Sequence, residues 1–256
     1  MNRRLLPARS AITLLLVGLL LSFAGCQKQP TLSGLPTTGP DGTAGTTANS
    51  EATNPTFTLS TTDVRSSATL SRYRTNEIRE YEGARLDPAV GPRDNSIAGV
   101  QSVDIDTYRL TIDGLVRQDR LLTYAEVQAL APELRLITLY CVEGWQATIL
   151  WQGVLLDELI GLAEALPQAN TVIFHAHDGY TTSLPLDTIR SRALILAYQA
   201  NQLPLPPEMG YPFIVVAEAK QGYKWARWVT RIELTDDPSY RGFWESRGFD
   251  NDAELD

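Results

Sequence analysis

Cysteine is nearly absent from this 256-residue chain; the two present are Cys26 and Cys141. Two cysteines cannot build a disulfide framework, and the sequence has no CxxCH motif for covalent haem. Histidine is equally scarce, with His175 and His177 alone. There is no GxGxxG, no glycine-rich phosphate loop and no internal repeat, which removes the usual signatures of dinucleotide- and nucleotide-binding folds and of solenoids. Clustered Lys and Arg are also lacking. With a net charge of −8 and a pI near 4.9 the chain has no electrostatic footprint for nucleic acid. What remains is ordinary globular composition, 43% hydrophobic and 20% charged, enough for one large domain with a packed core.

The one sustained apolar run, Ala11 to Ala24, is short for a bilayer span of roughly 20 residues. It follows Arg3, Arg4 and Arg9 and ends in Phe23-Ala24-Gly25-Cys26. A basic stretch, an apolar stretch and small residues at the end form an export signal. The final four residues resemble the lipobox of bacterial lipoproteins, with Phe23 where Leu is usual, so Cys26 is the expected lipidation site. Arg3-Arg4 followed by Leu5-Leu6 is also compatible with export of an already folded protein. Residues 1–25 read as a signal peptide and 26–72 as a flexible linker. The mature protein is then lipid-anchored on the periplasmic or other extracytoplasmic face of a bacterial membrane. Loss of three arginines and no acids takes the net charge from −8 to −11. Electrostatics would not hold such a chain to anionic lipid, and the acyl chain must. From Gln27 to Thr62 the composition is Thr, Gly, Ser, Pro and Asn, which cannot bury enough surface to offset ordering entropy. Its roughly 35 residues would span about 30 Å as a coil. If Cys26 is lipidated, Cys141 has no intrachain partner, and in an exported protein an odd cysteine calls for a reason.

Residues 73–256 read as the folded domain. Val64 to Val100 has no clear period and is expected to be irregular. Tyr108 to Ile112 alternates as a strand does, and Asp113-Gly114 marks a turn. Thr123-Tyr-Ala-Glu126 matches a capping box, predicting a helix over Tyr124 to Leu130 that Pro132 ends. Leu134 to Tyr140 reads as a buried strand delivering Cys141, and Leu155 to Ala163 as an amphipathic helix. Thr171 to His175 and Tyr180 to Leu184 form a strand pair about Asp178-Gly179. A short helix, Asp187 to Ser191, precedes strands at Leu194 to Tyr198, Phe213 to Glu218 and Trp228 to Leu234. Short strands mixed with short helices imply an α+β domain with mixed β-sheets.

Three groups could carry chemistry. Cys141 lies just after a strand, where sites are commonly built, and a thiolate is both a nucleophile and a soft metal ligand. An unreactive buried thiol is the alternative, and composition by itself favours it. His175 and His177 share one face of a strand and with Asp178 could bind a metal, but no third ligand is evident, and hydrogen bonding is the simpler role. Lys220 to Trp228 sets three cations and three aromatics around Gly222. Glycine permits close backbone approach and the cations suit phosphate; a solvent-facing loop with core tryptophans accounts for them equally well.

The order of these pieces resembles the molybdopterin-binding domain of the sulfite oxidase superfamily, over about Tyr108 to Trp244. The carriers are Cys141-Val-Glu-Gly-Trp145, Trp151-Gln-Gly-Val154, Asp178-Gly-Tyr-Thr-Thr-Ser-Leu-Pro185, Leu196-Ala-Tyr198 with Asn201, Gly210-Tyr-Pro212, Gly222-Tyr-Lys224, Arg227-Trp-Val229 and Gly242-Phe-Trp-Glu245. The resemblance implies a sulfite oxidase-like fold and a molybdenum-molybdopterin cofactor, with Cys141 as the metal ligand. It gives Cys141 and Tyr180 the catalytic roles, with Tyr180 near the metal, and makes Thr181, Gly222, Lys224, Trp225 and Arg227 cofactor-binding residues, with Lys224 and Arg227 on the pterin phosphate. Asn95 and Ser96 lie in the N-terminal stretch, where that family also contacts the cofactor.

Two positions depart from the family. Met209 stands where His or Asn is usual before Gly-x-Pro, and Ile214 where Arg is usual; both are cofactor contacts in the family, and loss of a charge-assisted pair to phosphate weakens binding. The sulfite oxidases also follow their Cys with Gly-Asn-Arg, where this chain has Val142-Glu143-Gly144, and an acid beside the metal disfavours sulfite. The implied function is a tethered oxidoreductase acting on a small molecule, such as a neutral sulfoxide or N-oxide, and passing electrons to a separate partner. The alternative is a cofactor-free relative serving as a binding or assembly module at the membrane surface.

Overall fold

The computed structural model describes residues 67–90 and 96–255. The expected signal peptide, Cys26, most of the expected linker and Asn95 lie outside the described residues. Helix α1 (Ser67–Asn76) occupies the beginning of the stretch expected to be irregular, and the linker boundary at residue 72 falls inside it. Tyr73, 1% exposed, anchors this helix and donates to the Leu205 carbonyl. A two-residue turn with positive φ at Glu82 and Gly83 then joins β1 (Glu80–Tyr81) to β2 (Ala84–Arg85).

The domain continues with β3 (Leu110–Gly114), β4 (Arg120–Leu122), α2 (Tyr124–Gln128) and a long hairpin of β5 (Glu133–Tyr140) and β6 (Gln146–Leu155). Next come α3 (Leu156–Ala163), a second hairpin of β7 (Thr171–Ala176) and β8 (Thr181–Pro185), and α4 (Leu186–Ser191). Strands β9 (Ile195–Ala200), β10 (Leu203–Pro204), β11 (Ile214–Val216) and β12 (Val229–Thr235) complete the order. One five-stranded sheet runs β4-β3-β12-β7-β8, antiparallel except for the parallel pair β3–β12. The other runs β10-β9-β6-β5, with β11 added along β9. This is the α+β class with mixed sheets that the sequence implies.

Local chemistry sets the elements. The Thr123 capping box is formed in both directions, Glu126 N–H to Thr123 Oγ1 at 3.2 Å and Thr123 N–H to Glu126 at 2.7 Å. Helix α3 buries Leu156, Leu159, Ile160 and Ala163, one face at helical spacing. Strand β6 was not evident in the sequence. Ala147, Ile149, Leu150, Trp151 and Val154 are all buried, so it lacks the alternation that marks a half-exposed strand, and Gly153 interrupts it. That glycine has a steric reason: a Cβ there would stand 2.2 Å from the Leu196 carbonyl oxygen, where the β6–β9 register shifts.

Two outcomes follow. Gly153→Ala is expected to lower unfolding free energy by about 3 kcal/mol in urea titration, the upper end for overpacking, because backbone rather than a flexible side chain must move. Burial also raises the phenol pKa of Tyr73, Tyr108 and Tyr124, with lesser contributions from Glu208 at Tyr73 and from Tyr211 at Tyr73 and Tyr124. A group whose folded pKa lies above its unfolded value of 10.0 stabilises fully below that pH and loses the contribution above it. Urea midpoints should therefore hold through pH 9 and fall beyond pH 10, by roughly 1 kcal/mol per buried phenol at pH 11.

Candidate active site

Two turns of identical build present the first two candidate residues. In the β5–β6 hairpin, Cys141 N–H donates to the Trp145 carbonyl at 2.9 Å and Gly144 N–H to the Cys141 carbonyl at 3.0 Å. In the β7–β8 hairpin, Ala176 N–H donates to the Tyr180 carbonyl at 2.9 Å and Gly179 N–H to the Ala176 carbonyl at 3.1 Å. Each is a three-residue loop ended by a left-handed glycine, φ +83° at Gly144 and +87° at Gly179. The hairpins belong to different sheets, yet Cys141 and Tyr180 line one cavity of about 400 Å3.

Cys141 is a half-buried thiol outside any disulfide among the described residues. Glu143 and Trp145 of its own turn also line the cavity. Tyr180 packs on Phe243, its amide donates to Asp178 at 2.9 Å, and its hydroxyl donates to the Tyr223 carbonyl. Burial, and next the charge of Glu245, push the Tyr180 phenol well above its ordinary pKa, so it remains protonated at neutral pH.

The third wall is the loop Gly222–Arg227. Strand β5 meets it through a bridge between Tyr140 and Gln221, and a Cβ at Gly222 would stand 2.9 Å from the Tyr140 carbonyl oxygen and 3.5 Å from Cys141 Cα. Glycine thus lets this loop lie against the backbone that carries the thiol. Trp225 packs at a tilt against buried Trp151 with centroids 5.6 Å apart and donates to the Lys220 carbonyl at 3.1 Å. Arg227 lines the cavity and donates to the Glu208 carbonyl at 2.9 Å. Trp244 and Phe249, from the segment after β12, form the remaining wall. Sequence reasoning did not place these two, Tyr223 or Trp145 at the site; the signal available was the run of aromatics after the last strand.

Of the expected site residues, the structure brings Cys141, Tyr180, Ser96, Gly222, Trp225 and Arg227 around the cavity. Two others point elsewhere. Thr181 accepts from the Tyr240 hydroxyl at 3.0 Å. Lys224 is fully buried and its ammonium lies 2.6 Å from Glu245, away from the cavity. Met209 and Ile214 are core residues, 1% and 0% exposed, and neither lines the cavity. The histidines take the simpler role. His175 pairs with Glu233 at 2.8 Å, beside an Arg231 that bonds Asp113 twice at 2.8 Å, and His177 meets Gln101 at 3.2 Å.

A molybdopterin group can be tested against these residues. Among the described residues no group of three His, Cys, Asp or Glu could cage a metal, and the cavity lining has a single thiol donor, Cys141. That donor set suits a metal whose other ligands arrive with the group itself. The Trp145 indole N–H is buried without a hydrogen-bond partner, an exception that a bound acceptor would remove. Aromatic walls and one lining guanidinium suit a flat ring system bearing phosphate. The residues fit the group.

Comparisons with known proteins agree. A family model described as an oxidoreductase molybdopterin binding domain matches residues 97–244. The chain is 35% identical over 147 residues to the uncharacterized oxidoreductase YuiH of Bacillus subtilis, 57% of this chain and 74% of that protein. It is 32% identical over 152 residues to a putative protein-methionine-sulfoxide reductase subunit, YedZ1, of Azospira oryzae, 59% of this chain and 57% of that one. It is 27% identical over 145 residues to MsrP, a protein-methionine-sulfoxide reductase catalytic subunit of Ralstonia nicotianae, of which 44% is covered. The sulfane dehydrogenase SoxCD of Paracoccus pantotrophus shares the fold, with a TM-score of 0.52 and 22% identity over 54% of this chain and 41% of that one. The matched family model spans both hairpins, the cavity loop and Trp244, and this chain belongs to the oxidoreductase molybdopterin-binding domain family.

Proposed function

We propose that this protein is a molybdenum-molybdopterin oxidoreductase that transfers an oxygen atom to or from a small neutral substrate. The observation that carries the proposal is Cys141: a half-buried thiol lining an aromatic cavity, in a motif that resembles the one whose cysteine ligates molybdenum in the family. The group, when bound, supplies a metal that changes oxidation state by two electrons and takes up or gives an oxygen atom. The rest falls to the side chains. Cys141 holds the metal, and Arg227 meets the phosphate. The tryptophans at the cavity exclude water, and the Trp145 N–H is available to an acceptor oxygen. Tyr180 keeps its proton at neutral pH and offers a phenol oxygen beside the reacting centre. Glu143 lines the cavity where the sulfite oxidases have an Arg one residue on, and its carboxylate opposes anionic substrates such as sulfite.

A sulfoxide fits this electrostatic selection, and two of the relatives carry methionine-sulfoxide reductase in their names. Reducing it takes two electrons and two protons and releases the sulfide and water. Because this reaction consumes electrons, they would come from a separate partner, the reverse of the flow to a partner that the sequence reading expects. Met209 and Ile214, which speak for a cofactor-free relative, lie in the core, so the cavity keeps Arg227 and Cys141 without them. Lipidation at Cys26 would hold the domain near a membrane-bound donor. Among the described residues no helix is long and apolar enough to cross a membrane.

Protein exported from a host that makes the cofactor should contain about one molybdenum per chain by elemental analysis. Cys141→Ser should lose the thiolate-to-metal absorption and reduce sulfoxide turnover at least a hundredfold. Folded parent protein without metal would sink the proposal in favour of the cofactor-free module. Separately, Cys26→Ser should move the protein from the membrane pellet to the soluble extracytoplasmic fraction; retention in the pellet would refute the lipid anchor.

A further inference from the structure

The cavity's third and fourth walls are joined by one buried ion pair. Lys224 and Glu245 side chains are both 0% exposed, with Nζ 2.6 Å from Glu245 Oε1. The same ammonium donates to the Ser183 carbonyl at 3.1 Å and to Asn251 at 3.3 Å. Thr182 also donates to Glu245 Oε1, which leaves Oε2 buried with no hydrogen-bond partner. The pair thus ties together three pieces: β8, the turn Gly222–Lys224, and the segment of residues 240–255. Each piece flanks or forms part of the site. Tyr180 immediately precedes β8, Tyr223 and Trp225 flank Lys224, and Trp244 precedes Glu245. No side chain in the pair reaches the cavity.

The phosphate role that the family resemblance gives to Lys224 requires an ammonium free to meet the ligand. Here all three of its donors are committed to protein oxygens. Turning it outward would strand Glu245 as an uncompensated buried carboxylate, which is strongly unfavourable.

We propose that Lys224 and Glu245 are positioning residues that hold the pterin-binding loop and the 240–255 segment at the spacing the group requires, and that Lys224 is not a phosphate ligand. The inference about the group rests on the cofactor reading above; the inference about the walls does not.

A double-mutant cycle separates the roles. The proteins are the parent, Lys224→Met, Glu245→Gln and the double variant Lys224→Met/Glu245→Gln, and the readout is pterin retained after purification from a cofactor-making host. A positioning pair predicts that each single change lowers retention roughly tenfold or more, because one buried charge is left alone, and that the double variant recovers most of it. Equal loss in Lys224→Met and the double variant, with retention intact in Glu245→Gln, would make Lys224 a direct ligand and overturn the proposal.

A second arm uses cofactor-free protein and the rate at which iodoacetamide alkylates Cys141 under native conditions, beside the urea midpoint. The single variants are expected to change that rate severalfold and the double variant to restore it. Lowered midpoints with an unchanged rate in every variant would mean a merely structural pair and would refute positioning. A single variant too unstable to purify leaves the double variant and Glu245→Asp, which retains the charge and should keep both pterin and rate near the parent's. Their failure would refute the proposal as well. Parent protein without pterin would refute the oxidoreductase reading alone, since the alkylation arm still decides the role of the pair.

Discussion

The site depends on two backbone positions that must be left-handed. Gly144 and Gly179 each end a three-residue turn, and each turn reverses a strand within about one residue of a group at the cavity. A side chain at such a position costs about 1–2 kcal/mol, and a differently shaped loop would change the pleat of the returning strand. Because side chains alternate along a strand, a one-residue slip in β5–β6 would reverse the faces of Ala147, Ile149 and Trp151 and carry Cys141 away from the cavity. The thiol and the phenol are therefore placed by the same device, used once in each sheet. The third loop can then lie against the first because Gly222 adds no Cβ between them.

Charge is distributed in the same economical way. The cavity lining carries one guanidinium, Arg227, and two carboxylates, Glu143 and Asp178. Charges around it are also arranged in pairs: Lys224 with Glu245, Lys220 with Glu254, Arg231 with Asp113 and Glu233. Burial drives the Lys224 ammonium below its ordinary pKa and the adjacent Glu245 carboxylate opposes that, so the pair is held by geometry more than by exposure to solvent. Such a pair adds little net stability compared with apolar packing, yet it fixes which segments lie side by side.

Much of this was readable in the residues. Ala176-His-Asp-Gly-Tyr180 announces its turn through Asp-Gly, and the strands on either side alternate enough to be found. Cys141-Val-Glu-Gly-Trp145 is the same turn, but the strand after it is buried on both faces and broken by Gly153, so period-2 reasoning passed over it. Helix α1 was missed because its only buried anchor on view is Tyr73. Periodicity cannot register a helix with one buried residue among its described side chains. Cys141 was legible because its flanking motif is one of an ordered series. Lys224 was not, because its partner lies 21 residues on, in a segment with no period at all. A cation's sign can be read from sequence; its direction depends on which distant carboxylate reaches it first.

The segment after β12 has a consequence for truncation of the chain. Both sheets are complete once Thr235 has been made, yet Trp244 and Phe249 come later, and the backbone of residues 252–255 is hydrogen-bonded to residues 219–221 only after that. A chain cut after Thr235 would keep the strands of both sheets and lose the cavity wall that Trp244 and Phe249 form.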